Sequence, residues 1–317
     1  MGSKAGALLR YRSRDLGIAF TAIILVAALS LATDTFLTAG NLVNILDQIV
    51  VVGIMACAVT VPMIAGVFDL SMSAVAALSA ILAITVANQV GIVAGVVAAV
   101  SAGVALGLVN GLAVTYARVN SFIATLATSM VFRGVATAVT DGQIVRADDA
   151  SLQTLSRPSP LAGITWATWV LVGILIVTGV VVAKTVYGRN LYAVGGNENA
   201  ALVSGISVTW TRISAFMISG GLAAVAGLVL ASRALSAQPS MGTGTEFTAI
   251  AAAVIGGVSL AGGSGAIWRS VLGVVLLQLI ANGFNLLGAP TIYQQIVQGA
   301  LILFAVSLDQ FLRARDR

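Results

Sequence analysis

Three charged side chains, Asp69, Arg133 and Glu246, interrupt stretches of sequence that are otherwise almost purely apolar. In a bilayer such a charge must be paired or face water, which makes each one a functional candidate. Asp69 precedes Leu70-Ser71-Met72-Ser73, where Asp69, Ser71 or Ser73 can cap the following helix; the other reading is direct contact between Asp69 or Ser71 and a solute. Glu246 follows Gly242-Thr243-Gly244-Thr245 and opens a short apolar run, as a cap or as part of a pathway. Arg133 reads as a structural residue, near an interface or paired with an acid. Neutral groups add a second chemistry. Asn120 and Phe122, then Asn282, Phe284 and Asn285, combine amides with aromatic rings. Amides bond hydroxyls and a ring covers C–H surface, which suits a neutral, hydroxyl-rich solute; the same residues serve equally as glue between helices.

Other chemistries are excluded by what is missing. The chain has no His, which removes the usual general base, metal ligand and proton switch together. Its one cysteine, Cys57, lies in an apolar run and builds neither a disulfide framework nor a thiolate metal site. Gly262-Gly263-Ser264-Gly265 lacks the lysine of a phosphate-binding loop, so the chain is expected to hold no nucleotide of its own. Of 317 residues 59% are hydrophobic and 9% charged, with mean hydropathy +1.04. Soluble domains carry roughly a quarter charged residues, so this is a membrane protein and not a soluble enzyme. The net charge of +5 is scattered over the ends of apolar runs, the pattern of topology signals and not of a nucleic-acid surface.

A spanning helix needs about 20 apolar residues. By that measure the sequence predicts an all-α integral membrane protein of about ten helices, some short or broken. They cover about Leu16–Thr33, Leu42–Gly66, Ser73–Ala87, Gly91–Thr115, Ser121–Thr140, Ile164–Ala183, Trp210–Ala231, Phe247–Leu260, Ile267–Leu287 and Ile292–Phe311. The first follows Arg10, Arg12 and Arg14 without a clear cleavage site and reads as a retained signal anchor. The Phe247 run is short for a crossing and reads as a half-helix or re-entrant segment. Small residues at Gly103, Gly107 and Gly111 predict close helix packing inside the subunit. Ten crossings put twelve Lys and Arg residues, including Lys4, Arg118, Lys184, Arg189, Arg212, Arg269 and the Arg313–Arg317 tail, on the side of the termini. Only Arg146, Arg157 and Arg233 fall opposite, so both termini are predicted to be cytoplasmic.

Residues 1–317 thus read as one transmembrane domain with two polar excursions. The external one, 141–160, reads as an ordered loop. The cytoplasmic one, 184–208, has a basic lead-in, a flexible Gly195-Gly196 pair and a short helix-prone run. Asn197 or Asn199 can cap that helix, Glu198 suits its positive first turn, and Gly205 can end it. A stretch this long and this well capped reads as a handle presented outside the bilayer.

Five segments, in order, carry a resemblance: Ala65–Ser73 (AGVFDLSMS), Gly107–Gly134 (GLVNGLAVTYARVNSFIATLATSMVFRG), Tyr187–Ile206 (YGRNLYAVGGNENAALVSGI), Glu246–Trp268 (EFTAIAAAVIGGVSLAGGSGAIW) and Asn282–Gly299 (NGFNLLGAPTIYQQIVQG). Together they resemble the permease subunits of bacterial ABC sugar importers of the ribose/xylose/galactose group. Phe68, Val67, Ala65 and Asn120-Ser121 depart from that pattern. The resemblance implies a bacterial inner-membrane permease, paired with a second permease subunit as a homodimer or as a pseudo-dimer with a sister subunit, and embedded in lipid. It also implies two cytoplasmic ATPase subunits, which hold ATP and Mg, and an extracytoplasmic solute-binding protein. Coupling to the ATPase carries over onto Gly195, Gly196, Asn197, Glu198, Asn199, Ala200 and Ala201. No cofactor is expected in this chain and no nucleic-acid partner. Rival expectations are an importer of nucleosides or branched amino acids, an ion-coupled carrier, for which membrane acids are too few, and a membrane enzyme, for which no catalytic set is present.

Overall fold

The computed structural model describes residues 20–160, 163–290, 292–294, 296, 297, 299, 300, 303 and 307. The basic residues Lys4, Arg10, Arg12, Arg14, Arg313, Arg315 and Arg317 lie outside them, as do Gln295, the start of the first expected span and most of the last.

Among the described residues seven helices are long and apolar enough to cross a membrane: α2 (Ala39–Ile64), α3 (Met72–Val90), α4 (Ile92–Thr115), α5 (Ser121–Thr140), α6 (Trp166–Lys184), α9 (Val208–Ala234) and α11 (Ile267–Leu286). Two shorter apolar helices, α1 (Phe20–Ala32) and α10 (Thr245–Ile255), join them among the described residues. The expected count of ten thus stands here as seven of spanning length. Helices α7 (Val186–Gly196) and α8 (Glu198–Val203) form the handle.

Helix α2 is buried continuously from Ile49 to Ile64, so it is apolar all round and forms the centre of the bundle. Helix α9 packs against α2, α3 and α4. Glycine makes that approach possible. A Cβ on Gly103 would lie 2.4 Å from the Gly220 carbonyl oxygen, and one on Gly107 would lie 2.2 Å from that of Phe216. The Gly103, Gly107 and Gly111 row therefore packs inside the subunit, as its spacing predicts.

The helix ends sort by charge. Arg118, Lys184, Arg189, Arg212 and Arg269 gather at the end that carries the handle, where α4, α6 and α7 finish and α5, α9 and α11 begin. Arg146, Arg157 and Arg233 occupy the other end. There the 141–160 loop is ordered, as expected: β1 (Val145–Arg146) pairs antiparallel with β2 (Ser236–Ala237), and a 3-10 turn covers Ala150–Ser156. Asn88 fastens the loop by donating to the Arg146 carbonyl at 2.9 Å and accepting from the Asp148 N–H at 3.1 Å.

Two elements are broken. Residues 67–71 are non-helical and run along α5, the Phe68 N–H donating to Ser121 Oγ and the Leu70 N–H to Thr125 Oγ1, each at 3.0 Å, before α3 begins. Helix α10 has 11 residues, about 16 Å. That is roughly half the 30 Å of a hydrocarbon core. It begins deep along α2, with Thr245 Oγ1 3.1 Å from Met55 Sδ. The Phe247 run is a half-helix, and its irregular lead-in, residues 238–244, is partly covered by protein, with Ser240 and Thr243 exposed.

Candidate functional site

The handle is built from its caps. Thr185 accepts from the Gly188 N–H to start α7, and Asn197 accepts from the Ala200 N–H at 3.0 Å to start α8. Gly205, at φ +80°, ends the turn that closes α8. Of the two asparagines that could cap, Asn197 does so. Glu198 stands in the first turn of α8, and its carboxylate accepts from Arg212 Nη2 at 2.8 Å. Ala201 is buried, Asn199 and Ala200 are exposed, and Leu202 and Val203 are 54% and 91% exposed, an apolar pair facing outward from the handle.

The Gly195-Gly196 pair is not a flexible link. It forms the last turn of α7 and packs backbone to backbone against two other segments. The Gly263 N–H donates to the Ile64 carbonyl at 2.9 Å. Gly195 lies beneath them, where an added Cβ would come 1.9 Å from Ile64 O and 2.6 Å from Gly263 N. Gly262 and Gly263 have φ of +86° and +70°, and Cβ atoms there would strike Gly66 Cα at 2.7 Å and Gly196 Cα at 2.6 Å. Side chains cannot fit among these strands, so the handle, the α2–α3 corner and the α10–α11 loop make rigid contact. Tyr192 adds a bond from its hydroxyl to the Gly265 carbonyl at 2.8 Å. Tyr187, whose phenol pKa is pushed up by burial, accepts from Ser214 Oγ at 3.2 Å. Sequence reasoning missed Gly66, Gly262 and Gly263; a paired glycine outside a nucleotide motif was the available signal.

The residues expected along a solute path do not meet in one pocket. Asp69 is fully buried: Oδ1 accepts from the Ser71 N–H at 3.0 Å and from Ser71 Oγ at 2.7 Å, and Oδ2 from Ser219 Oγ at 2.7 Å. Ser71 Oγ accepts in turn from Asn110 Nδ2 at 2.7 Å, and Asn110 Oδ1 from Thr128 Oγ1 at 2.6 Å. This chain of polar groups joins α3, α4, α5 and α9. Ser71 occupies the N-cap position of α3 without a side-chain cap bond. Glu246 is 7% exposed at the start of α10, and its Oε2 has no hydrogen-bond partner among the described residues. Arg133 meets no acid among the described residues; its guanidinium donates to the Pro239 carbonyl and to Ser73 Oγ, each at 2.8 Å, joining the lead-in of α10 to the first turn of α3.

Asn282 exchanges reciprocal amide bonds with Asn41, at 2.8 and 3.1 Å, at the end opposite the handle. Phe284 is half-buried and Asn285 exposed near the same helix end. Asn120 caps α5 by accepting from the Phe122 N–H at 3.0 Å, and Phe122 is exposed. Asn120 also lines a cavity of about 660 Å³ at the handle end, walled by Arg118, Ser121, Glu198, Thr209 and Arg212. Among the described residues no group of three or more His, Cys, Asp or Glu is arranged to hold a metal ion.

Comparison with known proteins decides what such a handle belongs to. A family model described as the branched-chain amino acid transport system permease component matches residues 41–306. The chain belongs to this permease family. It is 42% identical over 290 residues to a ribose import permease of Bacillus subtilis, covering 90% of each chain. It is 38% identical to the ribose import permease of Escherichia coli K12, covering 90% of this chain and 91% of the relative. It is 36% identical to an L-arabinose ABC transporter permease of Azospirillum brasilense, covering 95% of this chain and 89% of the relative. No solved structure gives a significant match. With seven helices of spanning length, this family member is a multi-pass protein of the bacterial inner membrane and a transporter subunit. The match includes the handle, the buried polar chain on Asp69 and the half-helix α10.

Proposed function

We propose that the chain is the membrane permease of an ATP-driven, binding-protein-dependent importer of a monosaccharide. Likeness to ribose and arabinose permeases supports the solute class. The observation that carries the coupling is the glycine contact of Gly195 and Gly196 with Gly66, Gly262 and Gly263. A push on α8 cannot be absorbed by side chains there, so it reaches α2, α3, α10 and α11 directly. Gly195, Gly196, Asn197, Glu198, Asn199, Ala200 and Ala201 form the coupling element, and Leu202 and Val203 the apolar surface that a cytoplasmic ATPase covers. ATP and Mg reside in that partner and no nucleotide in this chain.

The remaining assignments belong to the same reading. The handle end is cytoplasmic because lysine and arginine concentrate there. Both termini share that side, with about ten crossings in a single domain of 317 residues. The ordered 141–160 loop receives the solute-binding protein. A second copy of the chain completes a homodimer in lipid, and solute passes at its interface. Asp69, Ser71, Glu246, Asn120, Phe122, Asn282, Phe284 and Asn285 are polar or aromatic points along the route, exposed to solute when the helices rock.

The test is to isolate the tagged protein gently from native membranes and identify what accompanies it. An ATPase subunit that is lost when 197–201 becomes a Gly/Ser linker supports the reading. Absence of any ATPase under several mild detergents, or uptake abolished by ionophores, overturns it. Uptake of leucine in place of ribose or arabinose would move the solute class.

A further inference from the structure

The cavity at the handle end has a chemistry that sugar transport leaves unused. Two long helices begin on its wall, α5 at Ser121 and α9 at Val208, with 20 and 27 residues. Helix N-termini carry partial positive charge; here Asn120 takes the Phe122 N–H and Ser207 the Trp210 N–H, and the other first-turn N–H groups remain for a ligand. Two guanidiniums join them. Arg118 sits exposed in the α4–α5 turn, with no hydrogen bond or ion pair among the described residues. Arg212 spends Nη2 on Glu198, while its Nε is buried without a partner among the described residues. Hydroxyls of Thr115, Ser121 and Thr209 line the same cavity beside the apolar Val67, Val114, Val119, Leu202 and Val208, Thr115 donating to the Gly111 carbonyl and Ser121 accepting from the Phe68 N–H.

Charge and size together select the ligand. Two arginines against the single carboxylate of Glu198 leave the cavity positive, and Glu198, with its side chain 49% exposed, can turn out into water. About 660 Å³ lies within the range of small-molecule sites, roughly 300–1,000 Å³. A phosphate monoester carries about two negative charges and three strong acceptor oxygens, matching two guanidiniums and two helix N-termini at once. A neutral sugar has no use for either.

We propose that this cavity recognises a phosphate group, held by Arg118 and Arg212 against the first turns of α5 and α9, and that its occupation draws Arg212 away from Glu198. The phosphate comes from a soluble sugar phosphate or from the headgroup of an anionic lipid. Because the Glu198–Arg212 pair ties α8 to α9, the bound phosphate loosens the handle. That consequence for transport rests on the importer reading; the binding does not.

Binding is measured on the full-length chain in phosphatidylcholine nanodiscs, by calorimetric titration with ribose 5-phosphate and with ribose as neutral control. The expected result is saturable binding of the phosphate ester, no binding of ribose, and a loss of roughly tenfold in Arg118→Asn. Asparagine suits this position, whose φ is +53°. Arg118→Lys keeps the charge and should retain most of the affinity. Nanodiscs doped with phosphatidic acid, read by native mass spectrometry, distinguish the source. Arg118-dependent retention of that lipid, with no binding of the soluble ester, assigns the phosphate to the membrane. If neither ligand binds, or if neither depends on Arg118, the site does not exist. If Arg118→Asn instead releases the ATPase from the assembled complex, the cavity is a protein seat and the proposal falls. Each result is obtained without measuring uptake, so it leaves the importer reading standing or falling separately.

Discussion

Arg212 holds the carboxylate of Glu198 at 2.8 Å, and this contact, beside the packing of Ala201 with Val208, ties the exposed helix α8 to the start of the spanning helix α9. An ion pair this open to solvent contributes below about 1 kcal/mol to stability. Glu198→Arg should therefore leave the thermal midpoint in detergent nearly unchanged while reducing ATPase stimulation and uptake in the reconstituted complex. If both activities persisted at full level, α8 would be an ordinary loop.

Gly195 and Gly196 are adjacent and should respond differently. Gly195→Ala would drive a Cβ to 1.9 Å from the Ile64 carbonyl, a backbone clash that costs about 1–3 kcal/mol and displaces the handle. Gly196→Ala meets nothing closer than 4.0 Å. Thermal melts of the two variants side by side should show a loss only in the first; equal melts would mean that the backbone contact is not tight.

The polar chain on Asp69 ties α3, α4, α5 and α9 together, so besides lying on the proposed solute route it should carry stability. Ser219→Ala removes one donor to a buried carboxylate and should cost about 1–3 kcal/mol, read as a lower midpoint or faster proteolysis. Thr128→Val, at the far end of the chain, should cost less because its partner Asn110 keeps its bond to Ser71. Reversal of that order would place the important contact at α5.

Asn41 and Asn282 join α2 to α11 by two amide bonds. Replacing either with leucine should cost roughly 0.6–2 kcal/mol, and the double variant less than the sum of the singles. Additive losses in that cycle would mean that the two amides do not interact.

Asp149 caps the 3-10 turn of the 141–160 loop by accepting from the Ser151 N–H at 2.8 Å, and this bond, with the Ser151 hydroxyl, holds its carboxyl below the usual carboxylate range. A group depressed in the folded state stabilises above its unfolded pKa, about 3.9, and that contribution fades as pH falls through the folded value. Hydrogen exchange of the loop should accordingly rise only below about pH 4, and Asp149→Asn should flatten the dependence.

Much of the handle was legible because capping is local chemistry. Asn197 sits three residues before the N–H it accepts, and Gly205 supplies the positive φ that ends the turn. The fifth span, Ser121–Thr140, was readable to both ends from its hydropathy, whereas the cap at its start, Asn120, was read only as a solute-path amide or helix glue. The glycine contacts were not legible. Gly195 looks flexible in sequence, yet its freedom is used to admit the carbonyl of Ile64, on a segment distant in the chain. Likewise Ser219 and Asp69, 150 residues apart, are single polar residues in apolar runs whose pairing leaves no periodic trace.

By itself the sequence determined a helical membrane protein, the ends at which its positive charges collect, and a capped polar handle. Hydropathy, charge and capping act over one helix or one turn, so order along the chain suffices to read them. Only the tertiary structure decided that the handle presses on the broken helices through bare backbone, that Arg133 joins the first turn of α3 to the lead-in of α10, and that Arg118 and Arg212 share one cavity. Those relations depend on which helices become neighbours, and packing sets that through contacts between residues far apart in the chain.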